Sequence, residues 1–89
     1  MGLEGLAAAM AIELSPRRVN AISPGIVETP SWFDMPENER LAAFARAAQK
    51  LPSQRIGSVN DIAHAALALM ENGFITGTVL HIDGGGRLI

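Results

Sequence analysis

Apolar residues recur at helical spacing in three segments of the chain, which predicts three helices. In the first segment the apolar stripe consists of Leu3, Leu6, Ala7, Met10 and Leu14. The opposite side of this helix is small and apolar rather than charged, which predicts burial on two sides. That side consists of Gly5, Ala8, Ala9 and Ile12. Ser15-Pro16 ends the helix, because proline disfavours helical geometry in the residue before it.

Two later helices each carry a start signal. Asp34 predicts an N-cap and Pro36 a first turn for the second helix. Its apolar stripe is Leu41, Phe44, Ala48 and Leu51. Ser58 and Asp61 form an S-x-x-D capping box for the third helix, which ends at the typical C-cap pair Asn72-Gly73. Its apolar stripe is Ile62, Ala66, Leu69 and Met70.

Two short segments, residues 18–23 and 78–83, predict strands, and residues 26–35 have no clear period and predict a loop. A helical crossover between two strands makes them parallel, so residues 19–23 and 79–82 should pair directly. Parallel strands need several neighbours and cover on both faces, yet the chain supplies only two. The pattern therefore predicts an α/β fold in which residues 1–89 form a single partial domain.

Composition and charge exclude several classes of partner. The chain has 89 residues, 48% of them hydrophobic, a formal charge of -2 and no cysteine. A disulfide framework and a thiolate metal site are therefore excluded, and without a basic run neither nucleic acid nor an anionic membrane is expected. The first helix is too short to cross a bilayer and lacks a basic lead, and a reducing, cytoplasmic location is expected.

The order of short motifs along the chain resembles the C-terminal third of short-chain dehydrogenases/reductases. The motifs are GLEGL at 2–6, EL at 13–14, RVNAISPG at 18–25, IVETP at 26–30, RIG at 55–57, DIA at 61–63, ITG at 75–77 and DGG at 83–85. The resemblance implies part of a Rossmann-like, doubly wound parallel sheet with two parallel strands and covering helices. It also implies a parent enzyme that transfers hydride between NAD or NADP and an alcohol/carbonyl substrate.

The segment after the first strand is the candidate cofactor-binding segment. Chain leaving a strand's carboxyl end lies where open α/β sheets bind ligands, and a nicotinamide carboxamide has one donor and one acceptor side that a peptide can match. By the resemblance, Val27 offers its backbone to the carboxamide and Thr29 its hydroxyl to the carboxamide or pyrophosphate. The cofactor-binding set is Pro24, Gly25, Ile26, Val27 and Thr29. From spacing alone, a strand end followed by a turn is the favoured interpretation, and the resemblance reverses that preference.

Residues 31–53 correspond to the variable substrate lid of such enzymes. Trp32, Phe33 and Met35 form an apolar patch in it. A lid that closes over the nicotinamide and simple packing onto neighbouring helices explain this patch equally well.

No catalytic residue is assigned. The chain has no tyrosine, and its nearest glycine run, residues 84–86, follows the last strand and opens no helix. The family's catalytic Ser, Tyr and Lys are expected before Met1, so the chain alone is expected to show no turnover. His81 and Asp83 share one side of a strand, but no further ligand is spaced to complete a metal site, and a satisfied polar pair is expected.

Three functional hypotheses remain open at this point. The first is a fragment of an NAD(P)-dependent oxidoreductase that supplies a nicotinamide tether, a substrate lid and oligomer contacts. The second is a non-catalytic oligomerisation module derived from the same family, and the third is an unrelated small ligand-binding domain. The expected partners are a small-molecule substrate in the parent and either a second copy of this chain or the missing upstream chain. The choice between NAD and NADP and the identity of the substrate stay undetermined.

Overall fold

A computed structural model describes residues 2–89, which form an α/β unit of three α-helices and two pairs of parallel strands. The helices are α1 (Leu3–Glu13), α2 (Glu37–Lys50) and α3 (Val59–Glu71), and the strands are β1 (Ala21–Pro24), β2 (Val27–Glu28), β3 (Gly57–Ser58) and β4 (Val79–Ile82). Two short 3-10 helices, Pro30–Asp34 and Gly86–Leu88, follow β2 and β4. Among residues 2–89, no helix combines the length and the apolar composition that crossing a bilayer requires.

The main sheet pairs β1 with β4 in parallel, with Ala21 opposite Val79 and Ser23 opposite His81. Helices α2 and α3 lie in the crossover between the two strands. The α/β class, the parallel pairing and the helical connection are therefore all confirmed.

Strand β1 begins at Ala21 and not at residue 18 or 19 as predicted. The Arg18 guanidinium instead donates to the carbonyl oxygens of Leu69 and Met70, at 2.7 and 3.1 Å, in the last turn of α3. These carbonyls have no partner within the helix, and a cation there also interacts favourably with the negative end of the helix dipole. The Asn20 side chain meanwhile bonds the backbone of the loop before β4, accepting at 3.1 Å from the Thr78 N–H. Residues 18–20 therefore clamp α3 and this loop, and regular pairing starts after them.

A second, shorter pair of strands is present, and its first strand, β2, lies where the sequence predicted a loop. Val27 of β2 pairs with Gly57 of β3, and the Gly57 N–H donates to the Ile26 carbonyl at 2.9 Å. The rest of residues 26–35 includes the 3-10 helix that begins at Pro30. A two-residue strand is too short to show alternation, so its partner is fixed by the fold rather than by a pattern in the sequence.

The helix-start predictions divide between the two later helices. For α3 the capping box is confirmed, because the Ser58 side chain accepts from the Asp61 N–H and the Asp61 side chain accepts from the Ser58 N–H. For α2 the Asp34 N-cap is wrong: Pro36 occupies the N-cap and makes no side-chain capping bond. Asp34 is instead the last residue of the preceding 3-10 helix, Pro30–Asp34. Helix α2 therefore begins later in the chain than an N-cap at Asp34 would place it. Asn72 caps the end of α3 without a left-handed glycine after it.

The core is small and is spread over the three helices and β2. Its buried apolar residues are Ala7, Val27, Phe44, Leu51, Ala65 and Leu69. Leu41 and Met70 were predicted to belong to the buried stripes of α2 and α3, but they are 53% and 71% exposed. In α1 only Ala7 is buried, so the two-sided cover predicted for that helix does not come from residues 2–89. The fold therefore leaves much of its apolar surface open.

Candidate functional site

The chain turns sharply at the carboxyl end of β1, next to the end of β4. The Gly25 N–H donates to the Ile82 carbonyl at 3.0 Å, which extends the strand pairing by one residue. A Cβ on Gly25 would lie 2.8 Å from both Cα and Cβ of Asp83. The φ of Gly25 is not positive, so the turn does not require the backbone conformations that only glycine adopts readily. Glycine is required here by the close approach of two backbones.

Val27 follows the turn, and its side chain is buried while its backbone groups point away from β3. Ile26 directs its carbonyl to β3, where the Gly57 N–H donates to it. In a parallel pair, successive residues direct their N–H and C=O groups alternately toward the partner strand and away from it. With Gly57 opposite Val27, the N–H and C=O of Val27 therefore face the open side of β2.

All five residues of the predicted cofactor-binding set line one cleft, which we call the strand-end cleft. It has a volume of about 710 Å³. Its lining comprises Pro24, Gly25, Ile26, Val27, Thr29 and Trp32 on one side and Val59, Ile62, Ala63 and Ala66 of α3 on the other. The α3 wall was not assigned from the sequence. Ile62 and Ala66 had been placed only in the core stripe of the helix, and the structure leaves both half-buried, facing the cleft.

Thr29 lies between β2 and the 3-10 helix Pro30–Asp34. Its carbonyl accepts from the Trp32 N–H at 3.0 Å, and its hydroxyl lies 2.8 Å from the Ser31 hydroxyl. One of these two hydroxyls donates to the other, and an oxygen has further capacity for a ligand. The half-buried Thr29 side chain is therefore held in place by a neighbour at the rim of the cleft.

The three residues of the predicted lid patch lie in different places. Trp32 lines the strand-end cleft and meets Phe44 of α2 edge to face, with ring centroids 5.2 Å apart. Phe33 is 57% exposed and lies under the Arg40 guanidinium, 4.8 Å from its ring centroid. Met35 faces a separate groove along α2. Only Trp32 is therefore brought to the candidate site, and its contact with Phe44 ties that wall to α2.

A charged clamp fixes β3 and α3 beside the cleft. The Arg55 guanidinium donates to both carboxylate oxygens of Asp61, at 2.9 and 3.0 Å, and the Ser58 N–H donates to the same carboxylate. The Arg55 contact, followed by the Ser58 N–H, holds the pKa of Asp61 well below its usual range. Asp61 is consequently ionised at neutral pH and locks the start of the helix that forms the far wall.

His81 and Asp83 are both satisfied, but by other residues rather than by each other. His81 Nε2 lies 3.3 Å from a Glu4 carboxylate oxygen, which links β4 to α1. Asp83 accepts from the Gly85 N–H at 2.9 Å and from Arg87 at 3.2 Å. The Gly85 N–H, more than Arg87, lowers the pKa of Asp83. These contacts fix the turn after β4 against which Gly25 rests.

A family model described as enoyl-(acyl carrier protein) reductase matches residues 1–86. The chain therefore belongs to the short-chain dehydrogenase/reductase family. It is 39% identical to the short-chain dehydrogenase/reductase malC of Malbranchea aurantiaca, over 94% of this chain and 32% of that protein. It is also 39% identical to the 3-oxoacyl-acyl-carrier-protein reductase FabG of Thermotoga maritima, over 94% of this chain and 34% of that protein.

Solved structures agree with this assignment. The crystal structure of a small-chain dehydrogenase in complex with NADPH superposes with a TM-score of 0.86 at 40% identity, over 98% of this chain and 40% of that one. The chain thus spans about a third of the length of the curated relatives it matches. Its relatives are oxidoreductases, and its α/β fold is that of their Rossmann-like domain.

Proposed function

We propose that this chain forms the nicotinamide-binding edge of an NAD(P)-dependent oxidoreductase that acts on an alcohol/carbonyl substrate. The observation that carries the proposal is the strand-end cleft, in which all five predicted cofactor-binding residues meet at the carboxyl end of β1. Ligands of open α/β sheets bind at that end of the strands. The NADPH complex of a relative supports the class of cofactor.

The residues of the cleft suit a nicotinamide. The N–H and C=O of Val27 face the open side of β2, and together they match the acceptor and the donor of a carboxamide. Thr29 offers its hydroxyl at the rim, and Pro24 and Gly25 line the cleft at the end of β1. When bound, the nicotinamide supplies or accepts the hydride. Residues of this chain hold and orient it.

Proton transfer to the substrate oxygen needs a positioned acid, and this chain has no tyrosine to serve. We therefore propose that the chain by itself does not turn over a carbonyl substrate. We also propose that it binds the cofactor weakly, because it has no match to the family's glycine-rich dinucleotide turn. Trp32 contributes an apolar wall to the cleft.

The proposal is tested by titrating the isotope-labelled full chain with nicotinamide mononucleotide and following backbone amide signals. The signals of Val27 and Thr29 should shift in a saturable way. Thr29→Val loses the hydroxyl at nearly the same volume and should weaken binding about tenfold. Thr29→Ser keeps the hydroxyl and should bind the nucleotide about as tightly as the wild type. Adenosine monophosphate, which has no carboxamide, is the control ligand and should not shift the amide signal of Val27. Absence of any shift at Val27 up to millimolar nucleotide would overturn the proposal.

A second candidate function, an association module, is favoured by one observation. Helix α1 exposes Leu6 by 52% and Ile12 by 79%, although its sequence is apolar nearly all round. Such a surface is typical of a protein interface. The two candidates are compatible, because the apolar surface of α1 lies outside the lining of the strand-end cleft.

A further inference from the structure

A second cleft lies on the other side of the same turn. Pro24, Gly25 and Ile26 line both this cleft and the strand-end cleft, so the turn forms a wall shared by the two. The second cleft has a volume of about 700 Å³. Helix α2 and the 3-10 helix Gly86–Leu88 close its other sides. A molecule in it would lie next to whatever occupies the strand-end cleft.

Positive charge is concentrated in this second cleft, which we call the cationic cleft. Arg46, Lys50 and Arg87 line it, and Asp83 is the only acidic side chain among its lining residues. Asp83 is paired with Arg87. Arg46 and Lys50, one turn apart on α2, take part in none of the ion pairs formed within residues 2–89. The cleft thus has two positive charges in excess, on a chain whose net charge is -2.

The remaining lining of the cationic cleft is mostly apolar. Its apolar lining includes Ile26, Leu51, Ile89 and two alanines of α2. Low-dielectric walls focus the field of nearby charges, which strengthens attraction for an anion. The cleft therefore suits a molecule with an apolar body and an anionic end.

We propose that the cationic cleft binds the anionic group of the substrate, a carboxylate or a phosphate ester on an aliphatic body. Arg46 and Lys50 contact the anion, while Ile26 and Leu51 contact the aliphatic part. This inference deepens the proposed function, because the shared turn sets the bound substrate beside the nicotinamide. Arg87 contributes less, since Asp83 already neutralises it.

The inference is tested with three eight-carbon probes: octanoate, octyl phosphate and octan-1-ol. The uncharged alcohol measures the apolar contribution to binding, and the two anions show which anionic group the cleft prefers. Binding to the full chain is measured by calorimetry. One or both anions should bind at least about tenfold more tightly than the alcohol. The double variant Arg46→Gln/Lys50→Gln should remove that preference, while Arg17→Gln, an exposed cation outside the cleft, should keep it. The stronger of the two anions identifies the substrate class.

Equal binding of the alcohol and both anions would overturn the inference, and so would the absence of binding by any probe. An anion preference that persists in the double variant would also overturn it. Circular dichroism of the variants shows whether α2 persists, and both substitutions lie at exposed helical positions. Failure here is distinguishable from failure of the proposed function, because the nicotinamide mononucleotide titration reports on Val27 and Thr29 independently.

Discussion

At the scale of single residues, the candidate site depends on places where a side chain is absent or tightly held. Gly25 brings the end of β1 against the backbone of Asp83, and this contact sets the wall shared by the two clefts. Arg18 performs a comparable task at the opposite end of the strand, where it holds the last turn of α3. Both residues act by fixing one piece of backbone relative to another.

Gly25→Ala tests the close approach. The added methyl group would lie 2.8 Å from two carbon atoms of Asp83, so the strand ends must separate. We expect a loss of about 1–3 kcal/mol in the free energy of unfolding. Gly73→Ala is the control, because a Cβ there meets nothing within 4 Å. Urea unfolding of both variants measures the difference, and equal stability of the two would contradict the account of Gly25.

At the scale of elements, the junction of β3 and α3 is held by a few polar contacts rather than by apolar burial. Ser58 and Asp61 exchange capping bonds, and Arg55 grips the Asp61 carboxylate with two nitrogens. Strand β3 is only two residues long, so these contacts decide where α3 begins and how it faces β2. The far wall of the strand-end cleft depends on that placement.

Asp61→Asn tests this junction through its pH dependence. Because the folded-state pKa of Asp61 lies below its ordinary value of 3.8, its ionised form stabilises the fold above that pH. The stabilisation is lost as the pH falls through 3.8 and further toward the folded-state pKa. The variant should therefore be less stable at neutral pH and lose less stability than the wild type between about pH 5 and pH 2.

Thermal unfolding across this pH range provides the measurement. Ser58→Ala is the matched control, since it removes the side-chain acceptor at the cap but keeps the Arg55 contact with the carboxylate. It should lower stability while retaining most of the acid dependence. An acid profile of Asp61→Asn that coincides with the wild-type profile would rule out the assigned role.

At the scale of the whole molecule, the chain is extended and poorly covered. Its radius of gyration is 15.6 Å, against about 12 Å for a compact domain of this length. Six buried apolar residues form the core, while Ile12, Met70 and Phe74 are 79%, 71% and 100% exposed. A chain of this size buries little surface even when compact, so a partner that covers these residues would add much of its stability.

We expect α1 to be covered by association, either with a second copy of this chain or with the upstream chain expected from the family resemblance. Ile12→Glu puts a charge on the most exposed large apolar residue of α1, and it should shift sedimentation at micromolar concentration toward the monomer. Ala45→Glu adds the same charge at an exposed position of α2 and serves as the control. A wild-type chain that stays a cooperatively folded monomer across the dilution range would show the expectation to be wrong.

The sequence by itself determined the local features of this protein. The α/β class, the parallel strands, the capping box at Ser58 and the family all follow from short-range patterns, because caps and periodicity depend on neighbours within a few residues. Tertiary structure alone decided what depends on distant parts of the chain. The β2–β3 pair and the contact of Gly25 with Asp83 join segments far apart in sequence. The separation of Trp32 from Phe33 and Met35 depends on how each side chain packs against α2. The exposure of Leu41 was decided in the same way, since burial depends on what packs against a helix and not on its apolar stripe.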